Sequence, residues 1–491
     1  MAKSKHMTIP KEVASILEGL EKAGFEAYAV GGCVRDIMRG ENPKDWDVTT
    51  NATPEDIRLV FPRSFYENKF FTVTVQTDSA DDELKEIEVT TYRTEARYED
   101  KRHPSEIRPA KNLEEDLSRR DFTVNAVALS REGEFFDPFN GAGDIEKDII
   151  RAVGNADERF EEDALRMIRA VRFSAVLQFA IDEKTRHAIE THAPLLQAIS
   201  KERIRDEFIK IISSPGAMRG VELLRELHLL KYVMPELEEG YGVGQNKHHI
   251  YTVWEHNLRA LDYAAKEQYS PLVRLSALLH DVAKPHTKRG EGVDSTFYGH
   301  DVVGAAMSIR IMERLKFSHA EIEKVSKLVR WHLFNYDMEG GTTDSSIRRL
   351  IHNVGEDNIT DLVKVRICDR IGSGVPKAVP YRLRHFQFRV EKILREKEAV
   401  KVTMLAIGGS DLMTLLKIQP GPTIGHILNA LLEEVLDDSK KNTREYLEAR
   451  ARELAKLSDK ELMELRKQAE EKVHLVEGER EEEIKKKYYV K

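Results

Sequence analysis

Two acidic residues in Asp45-Trp46-Asp47-Val48-Thr49 are the first groups in this chain that could do chemistry. On an extended strand, alternate residues share a face, so both carboxylates would point the same way. Two hard oxygen ligands so placed suit Mg²⁺, which keeps its other positions for water and phosphate oxygens. A short way upstream, Gly31-Gly32-Cys33-Val34-Arg35-Asp36 follows the apolar run Tyr28-Ala29-Val30. Strand, glycine pair and helix in that order let backbone N–H groups approach an anion at a helix N-terminus. Arg35, one turn in, would pair with a phosphate oxygen. Glu88, on the alternating stretch Glu86-Ile87-Glu88-Val89, is a candidate third carboxylate. A solvated strand face or a tight turn would account for each feature singly. Together they support one another.

A second group of candidates lies in Glu162-Asp163-Ala164-Leu165-Arg166-Met167-Ile168-Arg169-Ala170-Val171-Arg172. Ala164, Ile168, Val171 and Ala175 form an apolar helical stripe. Asp163 and Arg166, three apart on a helix, would share a side and act together. Arg169 and Arg172 drift away from them, toward phosphates or solvent. A third group is His256, His280, Asp281, His300, His332 and Asp369. Any one of these histidines could be an ordinary core residue. Six such groups instead suit a transition metal such as Mn²⁺, Co²⁺ or Ni²⁺, since imidazoles favour softer ions than Mg²⁺.

The elements that position these residues change along the chain. Residues 1–150 mix β-like runs (Ala27–Val30, Trp46–Thr49, Thr72–Gln76, Ile87–Tyr92) with helices such as Pro10–Ala23, and predict an α+β head. Residues 151–245 read as a helical neck and 246–400 as a helical block rich in His and Asp. Residues 401–456 read as a further helical region, and 457–491 as an exposed charged helix or frayed tail. The fold class expected is α+β and mostly helical. At 491 residues the chain is long enough for three or four domains. Its net charge of −8 excludes a uniformly basic protein but not a local basic surface. Lys201-Glu202-Arg203-Ile204-Arg205 and Arg382-Leu383-Arg384-His385 are candidate RNA-backbone contacts or solvated faces. Two cysteines, Cys33 and Cys368, exclude a disulfide scaffold and fit a reducing cytoplasm. The N-terminus lacks a signal-peptide pattern, and no apolar run predicts a membrane span. Nothing in the sequence sets an oligomeric state.

The motifs Gly-Gly-x-Val-Arg-Asp, Asp-x-Asp, Arg119-Arg120-Asp121-Phe122-Thr123-Val124-Asn125-Ala126 and Glu-Asp-x-x-Arg, in that order, resemble the class II CCA-adding tRNA nucleotidyltransferases. Thr91–Glu95 and Tyr98–Pro104 resemble the loop preceding the Arg-Arg-Asp motif in that family. The resemblance implies a polymerase-β-like head in which Asp45 and Asp47 carry Mg²⁺, with Glu88 as a further catalytic carboxylate. It implies that Gly31, Gly32, Arg35 and Arg120 contact the incoming nucleotide, with Asp121 near its ribose. Asp163 and Arg166 would read the base, with Arg169 and Arg172 behind them. The partners implied are tRNA, CTP and ATP. Cytosine and adenine each present an amino donor beside a ring-nitrogen acceptor, which a carboxylate and a guanidinium match. Guanine and uracil present the reverse and would leave both groups mismatched.

Residues 246–375 resemble an HD phosphohydrolase domain, which implies a two-metal centre and a phosphate held by Lys284. Its expected substrate is a phosphate at an RNA end. Within the family, the complete loop Arg93–Asp116 argues against addition of CC alone. CCA addition is the expectation, with A addition as the alternative. A second class of reading is a phosphohydrolase whose head has become an RNA-binding module. Intact Asp45 and Asp47 favour the transferase.

Overall fold

The helix Lys11–Lys22 buries Val13, Ile16, Leu17 and Leu20, which recur at helical spacing. It covers one face of a mixed sheet. In chain order the strands are β1 (Ala27–Val30), β2 (Asp47–Thr50), β3 (Ser64–Tyr66), β4 (Thr72–Gln76), β5 (Glu86–Thr91), β6 (Arg93–Tyr98), β7 (Pro104–Pro109), β8 (Ala128–Leu129) and β9 (Phe135–Phe136). Seven of them form the sheet in the order β3-β4-β5-β2-β1-β8-β9, while β6 and β7 make a separate hairpin. Side-chain alternation sorts the strand residues onto two faces. Ala29, Val48, Val73, Ile87 and Val89 pack with the first helix. Val30 and Ala128 face the other way, against Tyr92, Leu113 and Leu117.

The computed structural model describes residues 9–66, 71–98, 104–246, 250–338, 341–374, 379–398, 405–458, 460–464, 467 and 481–490. Residues 99–103, on which part of the loop resemblance rests, lie outside them. The chain divides into two compact units. One is Met1–Leu333 with Thr360–Pro376, and the other is Phe334–Ile359 with Lys377–Lys491. Within the first, a single apolar core runs from Phe122 through the neck helices to Val329.

Two expectations about local structure fail. Strand β2 begins at Asp47, so Asp45 lies in the bend before it and does not share its face by strand alternation. The predicted helix through Asp163 is also broken there. One helix, Ala156–Glu162, ends at Asp163, whose backbone is extended (φ −139°, ψ 102°). The next, Leu165–Leu177, starts afresh. The Asp163 carboxylate accepts from the Leu165 backbone N–H at 3.0 Å, and its carbonyl accepts from Arg166 N–H at 3.0 Å. A short acidic side chain competes well for the unpaired N–H groups of a helix start, which favours the break.

In the second unit, Leu412, Ile427, Leu431, Leu447 and Ala451 form a core between the helices Gly409–Leu416, Pro422–Asp437 and Arg444–Leu454. The last part of the tail is not a frayed end: residues 481–488 are helical. Ile484 and Val490 pack on Phe388 of the helix Tyr381–Glu398. Glu391 accepts from Lys487 at 2.7 Å and from Tyr488 at 2.8 Å. The basic stretch on that helix is engaged internally, with Arg382 donating to the Tyr336 carbonyl and Arg384 to those of Tyr488 and Tyr489.

Candidate active site and metal centre

Strand register assembles the head site. Val30 pairs with Asp47 across β1 and β2, and Asp47 pairs with Glu88 across the parallel strands β2 and β5. The glycine turn therefore leaves β1 beside Asp47, with Glu88 the next residue along the same face. Gly31 has φ +83°, which side chains rarely adopt. A Cβ there would stand 3.0 Å from an Arg120 terminal nitrogen and 3.4 Å from Asp47 Oδ2. Glycine at 31 thus lets a guanidinium, a carboxylate and the backbone meet. Burial raises the Asp47 carboxyl, a shift that Arg120 opposes and Asp45 reinforces. A divalent ion beside it would favour the ionised form.

From that turn a polar belt runs to the neck helix Leu165–Leu177. Arg35 donates to Asn125 Oδ1 at 2.8 Å, and Asn125 donates to Asp121 at 3.3 Å. Asp121 accepts from Arg169 at 2.8 Å and, through a second nitrogen, at 2.6 Å. Burial pushes the Asp121 carboxyl up, but Arg169 outweighs it and holds it at about 2. Arg172 lies 3.2 Å from Glu207 and 4.0 Å from the centre of the Phe173 ring. Arg35 and Arg169 flank the same ring at 5.7 and 5.5 Å.

The side chains of Asp163 and Arg166 are held by different partners. Arg203, from the helix Lys201–Ser213, grips both Asp163 oxygens at 2.6 and 3.3 Å. Arg166 donates to Glu162 at 2.7 Å and to the Arg119 carbonyl at 3.1 Å. Arg203, expected as an RNA contact or a solvated residue, is thus part of the neck site. Phe173 and Glu207 carry no signal in the sequence that marks them as site residues. Only the position of Asn125 inside the Arg-Arg-Asp motif pointed to it.

The second site is a knot of ligands within the same compact unit. His256 lies near the start of the helix Val253–Lys266, which a Thr252/Glu255 capping box initiates. His280 ends the helix Pro271–Leu279, His300 opens His300–Arg314, and His332 ends His319–Trp331. Asp369 comes from Glu356–Gly372. The Nδ1 atoms of His280, His300 and His332 each pair with the carbonyl three residues back, at 2.7, 2.6 and 2.7 Å. A carbonyl only accepts, so each Nδ1 carries a proton, and in the neutral ring Nε2 is then the atom with a lone pair to offer.

The Nε2 atoms of these rings converge with that of His256. His256 Nε2 is 2.8 Å from His280 Nε2 and 3.0 Å from Asp281 Oδ2. Asp369 Oδ1 is 3.4 Å from His256 Nε2. His300 Nε2 and His332 Nε2 lie 3.3 and 3.7 Å from Asp281 Oδ1. Both are buried and make no hydrogen bond. Buried acceptors facing a carboxylate are costly unless a cation sits among them. Asp281 therefore joins two groups, His256–His280–Asp281–Asp369 and Asp281–His300–His332, each able to hold an ion. Nitrogen and oxygen donors fit transition metals. Burial pushes the Asp281 carboxyl up, yet Lys284 and His280 hold it well below the usual range. Lys284 Nζ lies 2.5 Å from Asp281 Oδ2 and donates to Gln245 at 2.6 Å. Among the described residues, the head carboxylates form no cluster this tight.

The chain matches the Poly A polymerase head domain family over residues 27–151 and the family described as "Probable RNA and SrmB- binding site of polymerase A" over 178–240. It matches the HD domain family over 253–373. The head and HD families both imply dependence on divalent metal. A CCA-adding enzyme of Enterococcus faecalis is 32% identical over 457 residues, covering 90% of this chain and 96% of that protein. One from Lactobacillus delbrueckii subsp. bulgaricus is 49% identical over 197 residues, covering 40% of this chain and 48% of that protein, about half its length. The crystal structure of the Bacillus stearothermophilus CCA-adding enzyme in complex with CTP has a TM-score of 0.57 at 27% identity, covering 91% of this chain and 97% of that one. Among the described residues, no helix is long and apolar enough to cross a membrane. The strand register, the belt of arginines and the full-length likeness agree: the chain belongs to the CCA-adding enzyme family and carries an HD domain after its nucleotidyltransferase head.

Proposed function

We propose that this chain adds C, C and A to the 3′ end of tRNA from CTP and ATP without a nucleic-acid template. The observation that carries the reading is the Val30–Asp47–Glu88 register, which sets a glycine turn and two carboxylates at one place on the sheet. Gly31 and Gly32 bring backbone N–H groups to the triphosphate, and Arg35 and Arg120 neutralise it. Asp121 faces the ribose. Asp163 accepts from the base amino group, and Arg166 donates to its ring nitrogen. Behind them, Arg169 ties the helix Leu165–Leu177 to Asp121 of the head, and Arg172 ties it to Glu207 of the neck helix Lys201–Ser213. Asp45, Asp47 and Glu88 would hold Mg²⁺, whose oxygen preference they match. Mg²⁺ bound there supplies charge stabilisation to the transferring phosphoryl group and the leaving pyrophosphate. The tRNA 3′ oxygen bonds to the α-phosphorus, the bond to pyrophosphate breaks, and the hydroxyl proton passes to solvent.

The HD pocket reads as a phosphohydrolase site for RNA ends. His256, His280, Asp281, His300, His332 and Asp369 would hold a transition metal such as Mn²⁺, Co²⁺ or Ni²⁺, and Lys284 would steady a substrate phosphate. Such ions supply an electrophile for phosphate oxygens and acidify water. Water adds to phosphorus, a P–O(ribose) bond breaks, and the ribose oxygen takes a proton. Removal of a terminal phosphate leaves the free 3′-hydroxyl that the head needs. The working division is a head (1–150), a neck (151–245), an HD domain (246–400), a C-terminal tRNA-binding region (401–456) and a tail (457–491). A tRNA substrate fits a cytoplasmic enzyme. Incubation with tRNA lacking its last three nucleotides tests the transferase: CTP alone should add two residues, and CTP with ATP three. Addition of A alone, and only to an end already carrying CC, would make it an A-adding enzyme.

A further inference from the structure

The HD pocket has a wall that the metal ligands leave unexplained. It encloses about 450 Å³. That lies in the range of pockets that bury ligands much larger than phosphate, roughly 300–1,000 Å³. Arg366, Asp369 and Arg370 of the helix Glu356–Gly372 line it together with Ser373 just past the helix end, whose N–H donates to the Asp369 carbonyl at 3.0 Å. Arg366 donates from Nη1 to Asp369 Oδ2 at 2.6 Å, and so orients a metal ligand. Arg370 stands one residue beyond Asp369 on the same wall. Arg370 and Lys284 both border this space, so two cations stand beside the metal ligands.

Facing that wall is the segment Thr296-Phe297-Tyr298, which leads into His300. Phe297 is buried, with Lys284 Nζ 5.5 Å from its ring centre. Tyr298 is 81% exposed although it lines the pocket, and Leu333 on the rim is 44% exposed. A bare aromatic ring at the mouth of a cationic pocket is the arrangement that binds a nucleobase by stacking while cations hold its phosphate.

We infer that Tyr298 is a base platform and Arg370 a phosphate clamp, so that the HD pocket takes a nucleoside phosphate at the 3′ end of an RNA strand and not a small phosphate ester alone. The inference rests on the hydrolase reading of this pocket and adds to it the residues that choose the substrate. Tyr298 lies at the surface, so the rest of a strand has a way out past it. Stacking tolerates any base, and purines should bind better than pyrimidines.

The test is binding to the full-length chain, measured by titration calorimetry. The probes are guanosine 3′-phosphorothioate, which resists hydrolysis, and inorganic thiophosphate. Guanosine is chosen because the head's family adds only C and A. Tyr298→Ala should weaken the nucleotide about tenfold and leave thiophosphate unchanged. Tyr298→Trp should keep wild-type affinity, with its fluorescence quenched on binding. Arg370→Ala should weaken both probes about tenfold, and Arg370→Lys should recover part of the loss. Unchanged nucleotide affinity in Tyr298→Ala, equal loss of both probes there, or no nucleotide binding by the wild type overturns the platform. Unchanged affinities in Arg370→Ala overturn the clamp. A trinucleotide ending in the same group should bind at least as well as the mononucleotide, and tenfold weaker binding would assign the pocket to free nucleotides instead. A separate arm follows p-nitrophenyl phosphate turnover with Mn²⁺. Its absence in the wild type would sink the hydrolase reading while leaving the binding result standing.

Discussion

The head and the HD pocket hold their acidic groups in opposite ways. Asp47 and Glu88 stand side by side in strand register, Glu88 exposed, with Asp45 in the bend before the strand. Asp281 is 1% exposed and ringed by four imidazoles whose tautomers three backbone carbonyls help to fix. On the proposed reading the head would leave its coordination to be completed by a triphosphate that brings its own oxygens. The HD pocket supplies nearly every ligand from the protein. The first arrangement suits an ion that arrives with substrate, and the second suits an ion that stays.

The largest effect expected is from Asp47→Ala. Nucleotide incorporation should fall by about a thousandfold or more, since the phosphoryl transfer loses its electrostatic anchor. Hydrolysis in the HD pocket should be unchanged. Asp281→Asn should do the reverse, lowering hydrolysis by at least about a hundredfold while incorporation on an intact acceptor holds. Metal analysis after dialysis should find transition metal retained by wild type and Asp47→Ala but not by Asp281→Asn. Equal metal loss in the two variants would break the contrast between a borrowed and a resident ion.

A smaller effect should follow from Arg203→Ala, which removes the guanidinium from Asp163 and leaves only the Leu165 N–H on its Oδ1. Discrimination against GTP and UTP should weaken about tenfold, with KM for CTP raised more than kcat is lowered. Arg203→Lys keeps the charge without the two-pronged grip and should restore little of it. Unchanged discrimination would remove Arg203 from base selection. The smallest effect concerns Asp121. Its folded pKa, about 2, lies below the unfolded value. Its stabilisation is therefore present above about pH 4 and is lost as pH falls toward 2. Asp121→Asn should destabilise the head and neck by about 2 kcal/mol at neutral pH. Hydrogen exchange should show that deficit shrinking between pH 4 and pH 2, and a deficit that grows on acidification would contradict the Arg169 pairing.

The residues legible in advance were those whose partners are close in sequence or fixed by alternation. The Gly31 turn, the outward Glu88 and the order of histidines and aspartates all follow from spacing. Asp163 was misplaced because Glu162-Asp163-Ala164 has a helical pattern, and only the Asp163 side chain on Leu165 N–H reveals the break. Asn125, Phe173 and Glu207 could not be found that way, because their partners are brought to them by packing. Arg35 reaches Asn125 across 90 residues of chain, and Arg172 reaches Glu207 from another helix. The docked tail was missed for the same reason: its charges read as solvated until Glu391 is seen to take Lys487 and Tyr488.

The central claim is that one chain carries two separable metal chemistries, with tRNA end synthesis in the head. The most direct measurement gives wild type, Asp47→Ala and Asp281→Asn one tRNA lacking its CCA end, with labelled CTP and ATP. A second sample of the same tRNA carries a 3′-terminal phosphate. The account predicts that wild type extends both samples by CCA once a transition metal is added. Asp281→Asn should extend only the hydroxyl-ended tRNA, and Asp47→Ala should extend neither while still releasing phosphate from the blocked one. Full extension by Asp47→Ala, or extension of the blocked tRNA by Asp281→Asn, would contradict it.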